Sequence, residues 1–161
     1  MYRYQFSAPT GYITFFGDHR GLVRVTLQDD KVTLPNQQYP QWLDLAIKVV
    51  ERYLQGEKVD LTTIPVDWRE IGGTEFQQRV WHGCQQIGYG SLRAYSWLAE
   101  RIGCPRGYQA VGQALGRNPV PLVIPCHRVI AKNGLGGFTG GLRIKRALLS
   151  LEGQDDNCWR G

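Results

Sequence analysis

Cysteine is scarce in this sequence of 161 residues, and all four copies lie in its second half: Cys84, Cys104, Cys126 and Cys158. No two of them form a C-x-x-C pair, the spacing typical of zinc knuckles and redox-active dithiols. His82 lies two residues before Cys84, but no second ligand pair follows it. We therefore expect no metal, no disulfide framework and no other cofactor. Reduced thiols indicate an intracellular protein, in the cytoplasm.

Long apolar runs are also missing. Nowhere do about 18 apolar residues follow one another, and the N-terminal stretch lacks the apolar region of a secretory signal, so we expect no membrane association. Acidic residues are in the minority, because 14 Asp and Glu stand against 19 Lys and Arg and give a net charge of +5. The basic residues thin out in the middle of the chain and gather again between Arg93 and Arg146, which favours a phosphate-bearing partner for that part of the protein.

The first part of the chain has the pattern of a small sheet followed by a helix. Three short runs with β-branched and aromatic residues are separated by turn sequences, which predicts an antiparallel sheet; they are YRYQF, GYITFF and LVRVTL. Between Trp42 and Leu54 apolar residues recur at helical spacing, and Gly56 stands where a terminating glycine belongs. We predict an N-terminal domain over residues 1–72, including a turn-rich linker.

A second domain is predicted over residues 73–155. Thr74 and Gln77 have the spacing of a capping box, ahead of a helix whose apolar positions are Phe76, Val80 and Ile87. A second helix is predicted from Tyr95 to Ile102 and a third from Arg106 to Leu115. Two short helices around a glycine-containing turn are typical of a helix-turn-helix unit. Residues 156–161 are predicted to be a frayed tail.

The third helix has an unusual number of small residues. Its predicted apolar side consists of Tyr108, Val111 and Leu115, while Gly107, Ala110 and Ala114 fall together and leave one flank nearly bare. Glycine inside a helix costs roughly 0.5–1 kcal/mol relative to alanine. We therefore expect another backbone to approach this flank, either that of a neighbouring helix or that of DNA.

Cys126 and His127 are adjacent in the run IPCHRV. A thiol reacts as the thiolate, and a neighbouring imidazole makes that form accessible near neutral pH. Adjacent side chains on an extended strand point to opposite faces, so the pair needs a bend or a bridging water; the prolines of this segment are Pro119, Pro121 and Pro125. The second imidazole nitrogen also needs an acid to orient it, and Glu152 is one candidate.

Four segments in a fixed order resemble the 6-O-alkylguanine-DNA alkyltransferases, also called methylated-DNA-protein-cysteine methyltransferases. They are GTEFQQRVW, YGSLRAYSWLAERIG, QAVGQALGRNPVPLVIPCHRVIAKNG and GGLRIKRALLSLEG. The resemblance is close from Thr74 to Gly153, whereas the first 70 residues match only in general shape. It implies an α+β fold, in which a small ribonuclease H-like antiparallel sheet plus helix is followed by a C-terminal winged helix-turn-helix DNA-binding domain.

The resemblance implies direct-reversal DNA repair. The alkyl group of 6-O-methylguanine, and of 4-O-methylthymine, in double-stranded DNA would be transferred irreversibly to Cys126. A monomer would bind through the minor groove and extrude the target nucleotide from the stack. A thioether is not hydrolysed at a useful rate, so each molecule would act once.

The resemblance also implies roles for individual residues. His127 would draw the thiol proton through a water, Glu152 would orient His127, and Tyr95 would protonate the leaving base. Asn118 would tie the third helix to the cysteine loop by side-chain to backbone hydrogen bonds. The implied DNA contacts are Ser96, Arg106, Gln109, Ala110, Gly112 and Arg128, and the implied lining of the alkylguanine pocket is Tyr95, Pro121, Val129, Phe138 and Thr139.

Three features depart from the family pattern. Gln109 stands where an arginine usually fills the space left by the extruded nucleotide, which predicts weaker extrusion or DNA binding. Phe138 replaces a tyrosine, which keeps the apolar wall and loses a hydroxyl. The loop between Ile130 and Phe138 is one residue shorter than is typical of the family, which bears on the alkyl groups that fit.

Three other functions remain open on the sequence. A lesion sensor that binds alkylated bases without transfer would resemble relatives that lack the cysteine, and Cys126 argues against it. A transcription regulator that senses alkylation would need a further domain. A Cys-His-Glu hydrolase would need an oxyanion hole and repeated turnover.

Overall fold

The computed structural model describes residues 1–27 and 30–159, and it begins with the predicted antiparallel sheet. The strand order is β1-β2-β3, with β1 at Tyr2–Ala8, β2 at Gly11–Gly17 and β3 at Leu22–Leu27. Ile13 and Phe15 of the central strand are buried on the face that they share, and Thr14 between them is buried as well. The prediction of a three-stranded sheet is confirmed.

Helix α1, Gln41–Leu54, covers the buried face of the sheet. Its buried side chains follow the predicted helical spacing and are Leu43, Ala46, Val50 and Tyr53. The helix packs closely on the sheet at Gly17, where a Cβ atom would come within 2.5 Å of the Trp42 ring. Gly56 has a φ of +87°, the left-handed conformation of a helix-terminating glycine, as predicted.

The connection to the second domain packs against the edge of the sheet. It contains a 3₁₀ turn at Leu61–Thr63 and the short helix α2, Trp68–Ile71. Val66 forms a parallel bridge with Leu22, whose amide donates to the Pro65 carbonyl at 2.9 Å. The linker therefore adds a strand-like segment beside β3.

The C-terminal part is mainly helical. Its helices are α3 Glu75–Cys84, α4 Tyr95–Arg101, α5 Tyr108–Gly116 and α6 Leu142–Leu151. Its strands, β4 Arg93–Ala94 and β5 Val129–Ile130, pair in parallel. The capping box at the start of α3 is present, and Ile87 is buried but lies beyond the end of this helix. No helix in the described part of the chain is long and apolar enough to cross a membrane.

The packing of α5 corrects the predicted faces of this helix. Ala114 is buried, and its carbonyl accepts a hydrogen bond from the Trp81 indole at 2.9 Å, so it belongs to the contact with α3 and not to a bare flank. Tyr108, predicted to be on the apolar side, is 52% exposed. Gly107 is the residue before the helix, so the cost of glycine inside a helix does not apply to it.

The end of the chain also differs from the prediction. Residues Asp156–Cys158 form a 3₁₀ turn, and Trp159 is only 6% exposed because it packs against Leu135 and Leu149. The expectation of a frayed tail is therefore wrong up to Trp159. The rest of that predicted tail, residues 160 and 161, lies outside the described part of the chain.

Candidate active site

The cysteine lies in a tight bend created by the residue before it. Pro125 has φ −81° and ψ 62°, the geometry of an inverse γ-turn, and the Cys126 amide donates to the Ile124 carbonyl at 2.8 Å. A 3₁₀ turn, Cys126–Arg128, follows directly. The backbone at Cys126 and His127 is thus turned and not extended, as the prolines predicted, so the two side chains do not lie on opposite faces.

Cys126 is 6% exposed and forms part of the wall of a pocket of about 280 Å³. The residues that line this pocket are Tyr95, Gly112, Leu115, Gly116, Cys126, Gly137, Phe138 and Thr139. Burial raises the pKa of the Cys126 thiol, and the Asn118 side chain and the Lys145 charge oppose that rise only in part. The thiol therefore holds its proton near neutral pH, and its activation requires a base.

His127 is paired with Glu152, and both side chains are buried. The two atoms, Nε2 and Oε2, are 2.6 Å apart. Burial by itself would raise the pKa of Glu152, but His127 and Arg128 outweigh it and hold that pKa well below its usual range. An ionised carboxylate only accepts hydrogen bonds, so Nε2 carries the imidazole proton and Nδ1 keeps its lone pair.

This arrangement gives His127 the properties of a base. Burial lowers its pKa, and the Glu152 charge opposes that change without reversing it, so the imidazole is neutral at neutral pH. Nδ1 has no hydrogen-bond partner among the described residues. A neutral imidazole with a free lone pair, next in sequence to a protonated thiol, can accept a proton from it.

Arg128 is only 3% exposed, which corrects its assignment to the DNA contacts. Its Nε donates to Glu152 Oε1 at 2.7 Å, and its Nη2 donates to Oε2 at 3.1 Å. The remaining Nη1 donates to the Ile87 carbonyl at 2.8 Å. Arg128 therefore holds the carboxylate in place and neutralises it inside the protein.

Asn118 joins the end of α5 to the cysteine loop. Its side-chain nitrogen donates to the Ile124 carbonyl at 2.9 Å, and its side-chain oxygen accepts from the Val120 amide at 3.0 Å. These are side-chain to backbone hydrogen bonds of the kind expected from the sequence. The Ile124 carbonyl also accepts a hydrogen bond from the Cys126 amide, so Asn118 fixes the turn that presents the thiol.

Sequence reasoning missed the contact of Tyr53, which lies within the helix predicted between Trp42 and Leu54. The Tyr53 hydroxyl donates to Glu152 Oε2 at 2.5 Å across the boundary between the two domains. Burial and the Glu152 charge raise the pKa of Tyr53 well above its ordinary value, so it stays protonated. A weak signal was available, since a tyrosine at a core position requires a partner for its hydroxyl.

Lys145 was missed as well, and it is fully buried on α6. Its ammonium donates to three carbonyls, those of Val129 at 2.7 Å, Leu135 at 2.6 Å and Gly137 at 2.9 Å. Burial lowers its pKa to about 8, while the thiols of Cys126 and Cys84 oppose this change. The lysine therefore stays mostly charged near neutral pH and fixes the loop that forms one side of the pocket.

The pocket contains part of the lining that the sequence predicted. Tyr95, Phe138 and Thr139 line it, whereas Pro121 and Val129 are buried and are not among its lining residues. Burial raises the pKa of Tyr95, and a hydrogen bond with the Gly137 backbone opposes this rise in part.

Gly136 lies against the Tyr95 hydroxyl. A Cβ atom at Gly136 would come within 2.8 Å of that hydroxyl oxygen, and the residue has a φ of +72°. Glycine is therefore required here for both space and backbone conformation.

Four of the six predicted DNA contacts are exposed near α4 and α5: Ser96, Arg106, Gln109 and Ala110. Gly112 is half-buried and lines the pocket, so the exposed side of α5 continues directly to the cysteine. Arg128 alone among the predicted contacts lies inside the protein. Helix α5 therefore connects the outer surface to the pocket.

His82 and Cys84 lie in different surroundings. His82 stacks on the Trp68 ring at 3.7 Å between ring centres, and Cys84 is buried. Within residues 1–27 and 30–159, no group of three or more His, Cys, Asp or Glu side chains is arranged to hold a metal ion.

Comparison with known proteins covers both domains. Residues 1–68 match the family model of the 6-O-methylguanine DNA methyltransferase ribonuclease-like domain, and residues 75–154 match that of the DNA-binding domain. A methylated-DNA–protein-cysteine methyltransferase from Methanosarcina acetivorans is 39% identical, over 95% of this chain and 99% of the relative. Another methylated-DNA–protein-cysteine methyltransferase, from Haemophilus influenzae, is 36% identical, over 94% of this chain and 86% of the relative.

The fold is also similar to that of solved structures. The Mycobacterium tuberculosis OGT in complex with DNA superposes with a TM-score of 0.79 at 34% identity, over 95% of this chain and 93% of that one. The O6-methylguanine methyltransferase of the same organism gives a TM-score of 0.74, over 94% and 92% of the two chains. Both comparisons extend over the sheet domain and the helical domain together.

Proposed function

The chain belongs to the 6-O-methylguanine DNA methyltransferase family, and from that premise we propose that it repairs alkylated DNA by moving the alkyl group onto its own Cys126. Its activity is that of a methylated-DNA–protein-cysteine methyltransferase, a direct reversal of damage. The substrates are 6-O-methylguanine and 4-O-methylthymine in double-stranded DNA. The observation that carries the proposal is the position of Cys126 in a pocket wall, beside a neutral His127 that is held by an ionised Glu152.

The proposed reaction is a displacement at the alkyl carbon. His127 Nδ1 takes the thiol proton of Cys126 through a water, and the sulfur attacks the alkyl carbon. The sulfur–carbon bond forms as the carbon–oxygen bond breaks, and the electron pair stays with the base. Tyr95 donates a proton to that base as it leaves, which is general acid catalysis. The sulfur is left as a thioether, so the protein acts once.

DNA binding is assigned to the exposed side of α5 and the start of α4. Ser96, Arg106, Gln109 and Ala110 would face the minor groove, and the extruded nucleotide would enter the pocket past Gly112. Small side chains on this face let a helix approach the groove closely. The glycines of the pocket wall leave room for a base.

We assign residues 1–72 to the N-terminal domain and 73–155 to the alkyltransferase domain, with the segment through Trp159 packed on the latter. The protein would act as a monomer in the cytoplasm or on the nucleoid, where its DNA substrate is. The net charge of +5 favours binding to the phosphate backbone without further subunits.

The test is the intact mass of the protein after incubation with duplex DNA that carries one 6-O-methylguanine. We expect one added methyl group, mapped to Cys126 by peptide analysis, together with restored guanine and no second cycle from excess DNA. Cys126→Ser should gain no methyl group, while Cys104→Ser serves as the matched control and should react normally. If the DNA bound tightly and kept its methyl group, the protein would be a lesion sensor and the proposal would fail.

A further inference from the structure

We propose that Tyr53, on helix α1 of the N-terminal domain, is a positioning residue for the reaction, because it holds Glu152 in the arrangement that orients His127. The inference rests on the proposed function. It gives the sheet domain a direct part in the chemistry of the helical domain.

The first argument is the geometry of the shared oxygen. Glu152 Oε2 accepts from the Tyr53 hydroxyl at 2.5 Å and from His127 Nε2 at 2.6 Å. Arg128 donates to the same oxygen at 3.1 Å and to Oε1 at 2.7 Å. Tyr53 and His127 therefore compete for the electron density of one atom, so a change in one hydrogen bond alters the other.

The second argument is burial. Tyr53 is fully buried and Glu152 nearly so, so water cannot readily replace the tyrosine hydroxyl if it is removed. Tyr53 lies in the last turn of α1, whose other buried residues belong to the same hydrophobic core as the buried residues of the sheet. The hydroxyl is thus positioned by the N-terminal domain, whereas the Glu152 that it contacts lies at the end of α6.

The charged and titratable groups around this oxygen determine the direction of the effect. Arg128 and Lys145 both disfavour a charge on His127, whereas Glu152 favours it. Tyr89 lies edge-on to Tyr53 with ring centres 6.1 Å apart, and the Arg128 guanidinium lies 5.9 Å from the Tyr89 ring. Loss of the Tyr53 donor leaves more negative charge on Oε2 toward His127, which raises the pKa of the imidazole.

The experiment compares Tyr53→Phe with wild type and with Tyr89→Phe. Tyr89 is the matched control, because its hydroxyl donates to the Leu151 carbonyl at 3.2 Å and not to Glu152. Two quantities are measured: the single-turnover rate of methyl transfer as a function of pH, and the titration of the His127 side-chain nitrogens by NMR. The NMR titration does not depend on transfer, so it tests the role of Tyr53 even if the proposed function fails.

We expect Tyr53→Phe to slow transfer at neutral pH by about tenfold, the order expected for loss of one hydrogen bond to a charged group. The acid limb of the rate profile and the His127 titration should both move to higher pH. Tyr89→Phe should change neither midpoint. A purely structural role would lower the midpoint of thermal unfolding and the rate but leave both titrations in place, and that result would overturn the inference.

A second variant keeps the test decisive if Tyr53→Phe does not fold. A fluorotyrosine at position 53 has a more acidic phenol and is a stronger donor, so it should move the His127 titration to lower pH. No shift in this variant would equally overturn the inference. A wild-type protein that transferred no methyl group would refute the proposed function, while the NMR shift would still decide the role of Tyr53.

Discussion

Gln109 is a residue whose replacement should strengthen DNA binding. It is exposed near the start of α5, at the position where the resemblance to the family implies an arginine. Gln109→Arg adds a positive charge and a guanidinium that can hydrogen-bond in the space left by the extruded nucleotide, so we expect about tenfold tighter binding to alkylated duplex DNA or correspondingly faster transfer.

The matched control for this change is Gln113→Arg, which adds the same charge one turn later on the exposed side of α5. It should strengthen binding to unmodified and alkylated DNA alike. Binding is measured by fluorescence anisotropy at fixed salt concentration. Equal effects of the two variants, or no gain from Gln109→Arg, would contradict a specific role for position 109.

Single residues differ in how far the sequence identifies them. Cys126 and His127 are adjacent in a specific motif, and the resemblance placed Glu152 beside His127, as the structure does. Tyr53 lies 99 positions before Glu152, and no local pattern connects the two. Arg128 was misassigned because an arginine beside a DNA-binding motif has the same sequence signal whether it faces DNA or a buried carboxylate.

At the scale of elements, the loop between β5 and α6 depends on one side chain. Lys145→Met would leave the carbonyls of Val129, Leu135 and Gly137 without the donor that now satisfies them. We expect the free energy of unfolding to fall by about 3 kcal/mol or more, since each unsatisfied buried group costs about 1–3 kcal/mol. Methyl transfer should slow as well, because the pocket wall loses its support.

Lys132→Met is the matched control, since Lys132 is exposed on the same loop. It should change stability by less than about 0.5 kcal/mol, as is usual for surface substitutions. Urea unfolding and single-turnover transfer are measured for both variants. Similar losses of stability and of transfer rate in the two variants would show that Lys145 does not support the loop through its carbonyl contacts.

The elements themselves were largely predictable, since strands, helices and the capping box follow from local patterns. It was harder to predict which side of each helix is buried. Neither the side of α5 that meets α3 nor the exposure of Tyr108 followed from the pattern, because glycines and alanines interrupt the apolar positions and leave no single apolar stripe. Trp159 was missed for a similar reason, since its contacts with Leu135 and Leu149 are tertiary.

At the scale of the whole molecule, the buried network links stability to pH. The pKa of Glu152 is depressed on folding, so the stability it contributes is present above its unfolded value near 4.5 and is lost as the pH falls toward the folded value. The pKa of His127 is also lowered, so the unfolded chain binds a proton first as the pH falls below 6.5, and stability decreases there too. Glu152 and His127 therefore both make the folded protein less stable as the pH falls.

We therefore expect the urea midpoint to decrease as the pH falls from neutral, first below about 6.5 and again below about 4.5, near ordinary histidine and carboxyl values. Glu152→Gln should be less stable at neutral pH and should lose most of the second decrease. His127→Gln should lose most of the first decrease, and the rest comes from His82, whose pKa burial also lowers. A wild-type midpoint that stayed constant through both ranges would contradict this linkage.

The composition of the pocket wall has a consequence for how the protein can evolve. Three of its eight lining residues are glycine, namely Gly112, Gly116 and Gly137, so much of the wall is backbone. Mutation can only add atoms at these positions, and most changes there will narrow the range of alkyl groups accepted. A wider range has to come from larger neighbours, chiefly Phe138 and Leu115. Few substitutions can therefore widen the pocket for bulkier substrates, and directed evolution for such substrates should concentrate its changes at those two positions.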